Sequence, residues 1–214
     1  MEVLYMLRMI LAGTVLAAVG SYASAAEVQW NFNNAAIAAG TACKSMGSDA
    51  DTFFISAGND FSVVFSRLGI NLGDQYAPTA ERHTCNVRIP VRIAKGMYIG
   101  RLDQTLLYGV TKSAGSSAEI SARATFFNQP AAFITRSFQR GVAMDEALQT
   151  ATASQNYQVN APTWCAFSSG MSGLYAVNLA VAGQRDNPYE NVVVQIDGAD
   201  LKFQATAGWY RCNL

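Results

Sequence analysis

An all-β fold, an antiparallel β-sandwich stapled by two disulfides, is what this sequence predicts. Three observations carry that expectation: apolar residues recur with period two rather than 3.6, turn-forming residues separate those runs, and four cysteines follow an export-type leader.

The elements can be justified in chain order. Arg8, the eleven-residue apolar run Met9 to Val19 and the small residues Ala23 and Ala25 read as a secretory signal peptide over 1–25. A run of that length falls well short of the roughly 20 residues that span a bilayer. Residues 26–214 are then expected to form a single secreted domain with no membrane span after signal removal. Thr52 to Ser56 and the alternating Phe61, Val63 and Phe65 flank the turn-rich Ala57-Gly-Asn-Asp60, a hairpin pattern. From Cys85 to Ile93, Cys85, Val87, Ile89, Val91 and Ile93 point one way while Asn86, Arg88, Pro90 and Arg92 point the other. Pro90, lacking an amide hydrogen, predicts an edge position for that strand. Tyr98 to Tyr108 and Glu119 to Phe127 read as strands, with Ser113 to Ser117 as a flexible spacer.

Pro130 to Thr163 carries no strand pattern and is expected to be a long irregular excursion before the third cysteine. Within it Asp145 to Gln149 is able to start a helix capped by Asp145. Beyond it, Tyr175, Val177, Leu179 and Val181, then Val192, Val194 and Ile196, then Leu201, Phe203 and Ala205 predict three consecutive antiparallel strands. Asp197-Gly198 supplies the last hairpin turn. Eight or so short strands with turns between them indicate a sandwich or a barrel. A membrane barrel would also alternate, but the cysteines and the polar excursion favour a soluble sandwich.

Composition narrows the chemistry. The chain has 214 residues, half of them hydrophobic, with 15 Lys+Arg against 15 Asp+Glu. No net field draws it to phosphate backbones, so nucleic acid is not an expected partner. The single histidine, His83, would have to serve any Ser-His or Cys-His machine; beside Arg82 it reads better as a turn residue bonded locally. Cys43, Cys85, Cys165 and Cys212 allow three pairings. Cys43 with Cys85 and Cys165 with Cys212 is favoured, because each pair closes one half of the chain, at about 4 kcal/mol each in the chain-entropy model. Their wide spacing does not suit a metal, and neither a metal nor a cofactor is expected. Asp49, Asp51 and Asp60 could surround calcium, but turn capping explains them better.

Four landmarks occur in order: Cys43; Glu81-Arg-His-Thr-Cys85 leading into an alternating strand; Trp164-Cys165; and Trp209-Tyr-Arg-Cys212. Together with Arg88-Ile-Pro90 and Lys95-Gly96, these resemble the secreted four-cysteine family known as domain of unknown function 4360. The resemblance runs from about Gly40 to Cys212. It implies export, disulfides and a β architecture, and supplies no mechanism.

No Gly-x-Ser-x-Gly elbow and no marked carboxylate pair is present. The expected function is therefore that of a non-enzymatic extracellular, periplasmic or cell-surface binding or structural protein, with a glycan or surface protein as partner. The alternative is a secreted enzyme acting on extracellular polysaccharide or cell-wall polymer. The aromatics Trp30, Tyr76, Tyr108, Trp164, Tyr189, Trp209 and Tyr210 invite a sugar-stacking reading, but Trp164 and Trp209, each beside a probable disulfide, are read as mostly structural. Tyr76, in Gly73 to Pro78, and Tyr189, in Gln184 to Tyr189, sit in proline-flanked loops with a carboxylate and are the candidate ligand contacts.

Overall fold

The computed structural model describes residues 28–38, 43, 52–57, 60–65, 68–127, 129–156, 170–196 and 202–211. Residues 1–25, expected to be a signal peptide, and Asp49, Asp51, Trp164, Cys165, Asp197, Gly198 and Cys212 lie outside them. Thirteen strands occur among the described residues: β1 (Val28–Trp30), β2 (Ala36–Ala38), β3 (Thr52–Ala57), β4 (Asp60–Phe65), β5 (Gly69–Asn71), β6 (Ala80–Ile93), β7 (Met97–Lys112), β8 (Ser116–Phe126), β9 (Gln129–Phe138), β10 (Met144–Asn156), β11 (Met171–Arg185), β12 (Val192–Gln195) and β13 (Lys202–Arg211). They form two antiparallel sheets packed face to face. None of the described helical residues forms a helix long and apolar enough to cross a membrane.

The first sheet runs in the order β1, β6, β11, β8, β9, with β2 also on β6. Val28 to Trp30 pair with Ile93 to Val91, and Ala36 to Ala38 with Arg88 to Asn86, so β1 and β2 form one broken rank along a single edge of β6. The second sheet is built the same way around β7. β10 pairs with residues 101–112 of β7, overlapping the stretches paired with β12 (109–112) and with β13 (97–106). A strand has only two edges, so β12 and β13 must share the edge opposite β10. They are one broken rank, and β5 and β4 form another beside it.

The apolar phase of the sequence is the phase of the core. Cys85, Val87, Ile89, Val91 and Ile93 are buried, as are Tyr175, Val177, Leu179 and Val181, facing Phe61, Val63 and Phe65 of the opposite sheet. Trp30, partly buried, packs on Phe61 with ring centroids 4.5 Å apart and edge-on to Tyr175 at 5.9 Å, and Tyr108 is buried against Phe138, so these two aromatics belong to the core rather than to an exposed stacking surface. β3 and β4 pair as the expected hairpin, with Ala57 opposite Asp60. Cys43 and Cys85 form a disulfide with Cα atoms 5.3 Å apart, tying the chain after β2 to the middle of β6. The second expected disulfide falls outside the described residues.

Several expectations are corrected. The strands are not all short: β6, β7 and β11 have 14, 16 and 15 residues and run the length of the sandwich. β6 is not an edge strand, for β1 and β2 lie on one side and β11 on the other. Pro90 is tolerated because its carbonyl, which accepts from Asn31 N at 2.9 Å, shows that its nitrogen faces the break between β1 and β2. The 3-10 turn Phe32–Asn34 fills that break, so no ladder bond is missing.

The excursion is strand over most of its described length, as β9 and β10, and Asp145 begins an extended segment rather than a helix. The Asp145 side chain accepts from the Thr111 hydroxyl at 2.9 Å instead of capping a turn. β10 pairs with β7 alone, so much of it faces water on both sides and its sequence needs no alternation. The three C-terminal strands are not consecutive neighbours: β11 belongs to the first sheet, and β12 and β13 lie end to end in the second instead of forming a hairpin.

Candidate functional site

One end of the sandwich is organised by a buried cation. Arg185 closes β11 in phase with Val181 and Gly183, so the alternation that builds the core also sends its side chain inward, where it is 2% exposed. A buried guanidinium needs acceptors for its fork of donors. Nη1 donates to the carbonyls of Leu72 (2.7 Å), Pro188 (3.0 Å) and Glu190 (3.2 Å), and Nη2 to those of Asp74 (2.8 Å) and Ala77 (2.5 Å). These acceptors come from two loops, 72–79 and 186–191, which one side chain therefore holds together.

Those loops carry the two tyrosines singled out in the sequence. Tyr76 is 86% exposed and Tyr189 91%. Each ring is presented by the same local device. Asp74 Oδ1 accepts from Tyr76 N at 2.9 Å, and Asn187 Oδ1 accepts from Tyr189 N at 2.9 Å, two Asx turns that fix the backbone beneath an exposed ring.

The neighbouring turn is equally tied. Lys112 is buried, and its ammonium donates to the carbonyls of Ser116 at 3.1 Å and Val142 at 2.5 Å. Burial pushes its pKa below the usual lysine value, with the Glu190 carboxylate acting in the opposite direction. Ser113 and Ser116 both bond to the Asn191 carbonyl, at 3.2 and 2.8 Å. The expected flexible spacer at Ser113 to Ser117 is thus a hydrogen-bonded turn braced against the loop of Tyr189.

His83 is in β6 rather than in a turn. Its Nδ1 lies 2.5 Å from the Gly69 carbonyl and its Nε2 2.8 Å from Glu81 Oε1, so the ring bridges a strand neighbour to the opposite sheet. Among the described residues no group of three His, Cys, Asp or Glu side chains could hold a metal ion.

The outer face of the first sheet is furrowed. β11 turns the small side chains of Ala176, Ala180 and Ala182 outward between longer neighbours on β6 and β8. Ala180 is only 4% exposed although it points away from the core. One depression of about 480 Å³ lies over Ala182, between Arg82 and Glu119, and opens beside the loops of Arg185. A smaller one, about 180 Å³, lies further along the strand over Ala176.

The family model for the domain of unknown function DUF4360 matches residues 34–212. The chain belongs to this family.

No curated protein matches this DUF4360 chain. Among solved structures, TmCBM61 in complex with β-1,4-galactotriose aligns over 83% of this chain and 91% of its own, at 8% identity and a TM-score of 0.26. The family 11 carbohydrate-binding module from Clostridium thermocellum, in complex with a β-1,3-1,4-mixed-linked tetrasaccharide, aligns over 86% and 91%, at 9% identity and 0.19. A loop-swap mutant of Necallimastix patriciarum Xyn11A aligns over 81% and 100%, at 9% identity and 0.22. TM-scores this low carry no argument about ligand or reaction.

Sequence reasoning found the two tyrosine loops of the DUF4360 domain but missed what joins them. The signal was present: Arg185 continues the inward phase of Tyr175 to Val181, and a charge at a core position demands buried partners. It also missed Phe133, 51% exposed on β9, whose ring lies 4.7 Å under the Arg123 guanidinium. That pairing depends on the β8–β9 register, which the sequence reading did not contain.

Proposed function

We propose that residues 1–25 are a signal peptide, that 26–214 form a single exported domain, and that this domain is a non-enzymatic binding protein outside the cell or at its surface. It recognises a glycan or a surface protein through Tyr76 and Tyr189. One observation carries the reading. Two exposed aromatic rings stand on separate Asx turns, and the loops beneath them are locked to one buried arginine. A folded protein gains nothing from exposing a large ring on a rigid mount, whereas a binding surface gains contact area with little ordering cost. The Cys43–Cys85 disulfide fits an oxidising compartment.

A glycan array and a pull-down from the native envelope test the reading, each repeated with Tyr76→Ala and Tyr189→Ala. Each substitution is expected to weaken binding roughly tenfold or more without lowering thermal stability. Full affinity in both folded variants would move the site elsewhere. Turnover of a cell-wall or polysaccharide substrate, abolished by one carboxylate substitution, would make the protein an enzyme.

A further inference from the structure

The chain is neutral overall, yet its charge is unevenly placed. On the outer face of the first sheet β6 presents Arg82, Arg88 and Arg92 and β8 presents Arg123, while Glu119 is the one outward carboxylate of β6, β8 and β11. Register places these groups around the furrow. Arg82, Ala182 and Glu119 form one row, Thr84, Ala180 and Ser121 the next, then Asn86, Asn178 and Arg123, then Arg88, Ala176 and Thr125. Adjacent strands are about 4.8 Å apart, so Arg88 and Arg123 stand on opposite banks of β11, roughly 10 Å apart across the furrow and one row out of step.

The depression over Ala176 lies between those two banks. It is lined by Arg88, Arg123, Asn86, Asn178 and Thr125 and by no carboxylate. The Arg88 side chain has neither a hydrogen bond nor an ion pair among the described residues. Arg123 is held over the Phe133 ring, which leaves its guanidinium edge available to an acceptor. The Asn178 amide donates to Asn86 Oδ1, which fixes both amides at the floor. Two guanidiniums, an amide pair and a hydroxyl around about 180 Å³ match one carboxylate- or sulfate-sized anion. The larger depression lies along the same strand over Ala182, beyond the row of Ala180 whose side chain is covered by its neighbours, so an occupant of the smaller one would reach it over the sheet surface.

We propose that this furrow is a second binding site, separate from the tyrosine loops, and that it takes an acidic polysaccharide whose carboxylate or sulfate group seats between Arg88 and Arg123 while the sugar chain extends along β11. Polar side chains line the rows between the two depressions, as sugar hydroxyls require. The neutral total charge argues against a polyphosphate, which needs a continuous run of cations. The Arg123–Phe133 pair adds an apolar ring at the rim for a sugar face.

Binding to polygalacturonate tests the proposal, with fully methyl-esterified polygalacturonate as the same chain without charge and single-stranded DNA as a non-sugar polyanion. Binding is expected to polygalacturonate alone, weakening as salt rises. Arg88→Gln and Arg123→Gln should each lower affinity roughly tenfold with an unchanged melting temperature. Arg140→Gln, which removes only the exposed pair with Asp186, should leave it intact. Equal binding to the ester, equal binding to DNA, full affinity in both folded arginine variants, or no binding to polygalacturonate at low salt would each overturn it. Failure of the tyrosine variants on the array would leave this outcome untouched, so the two readings fall separately.

Discussion

Two of the polar side chains of β7 and β11 that reach the interior are treated oppositely. Arg185 gives its guanidinium five carbonyls and holds two loops with them. Gln104, fully buried on the inward side of β7 between Leu102 and Leu106, has no hydrogen-bond partner among the described residues for either atom of its amide. Desolvating an amide without compensation costs about 1–3 kcal/mol in proteins. Gln104→Met, close in volume and free of polar atoms, is therefore expected to stabilise the fold by about 1–3 kcal/mol, read as a higher urea midpoint. A lower midpoint would mean that the amide has a partner worth more than its desolvation. The same distinction explains what the sequence revealed at this scale. Exposed tyrosines in Asp- and Asn-led turns announce themselves locally, whereas the acceptors of Arg185 lie about 110 residues upstream as well as a few downstream, at separations of 113, 111 and 108 for the first group.

At the scale of elements, periodicity was legible wherever one strand face meets the core, as in β4, β6 and β11. It failed in β10 for two physical reasons. That strand pairs only with β7 and is mostly wet, and its register breaks between Glu146 and Gln149. Glu146 lies opposite Val110 and Gln149 opposite Tyr108, so Ala147 and Leu148 together face Gly109, and the extra residue breaks the period of two. Gly109 is what the bulge requires, because a Cβ there would stand 2.7 Å from the Ala147 carbonyl oxygen. Gly109→Ala should cost about 1–3 kcal/mol, as overpacking does, with hydrogen exchange quickened in β10 before the rest of its sheet. An unchanged midpoint would show that β10 moves aside freely and that the bulge is not fixed by close approach.

The whole molecule also constrains cysteines that its described residues do not include. The chain crosses between sheets repeatedly, and the two-sheet order brings distant segments to one turn. β11 begins with Met171 opposite Ile93, and β13 ends with Arg211 opposite Met97, so both reach the turn at 94–96 that joins β6 to β7. Sequence periodicity could not show this, since it reveals faces and not which strands are neighbours. Cys212 directly follows Arg211, and Cys165 precedes Met171 by six residues, at most about 20 Å of extended chain. Cys43 and Cys85 are already joined. On this ground the remaining two cysteines are predicted to pair with each other. A Cys165–Cys212 bond would fasten the entry of β11 in the first sheet to the exit of β13 in the second, and in the chain-entropy model would contribute about 4 kcal/mol. Non-reducing peptide mapping by mass spectrometry should recover a Cys165–Cys212 peptide beside Cys43–Cys85. A free thiol at either position, or a dimer linked through them, would show that the turn at 94–96 does not bring the two together.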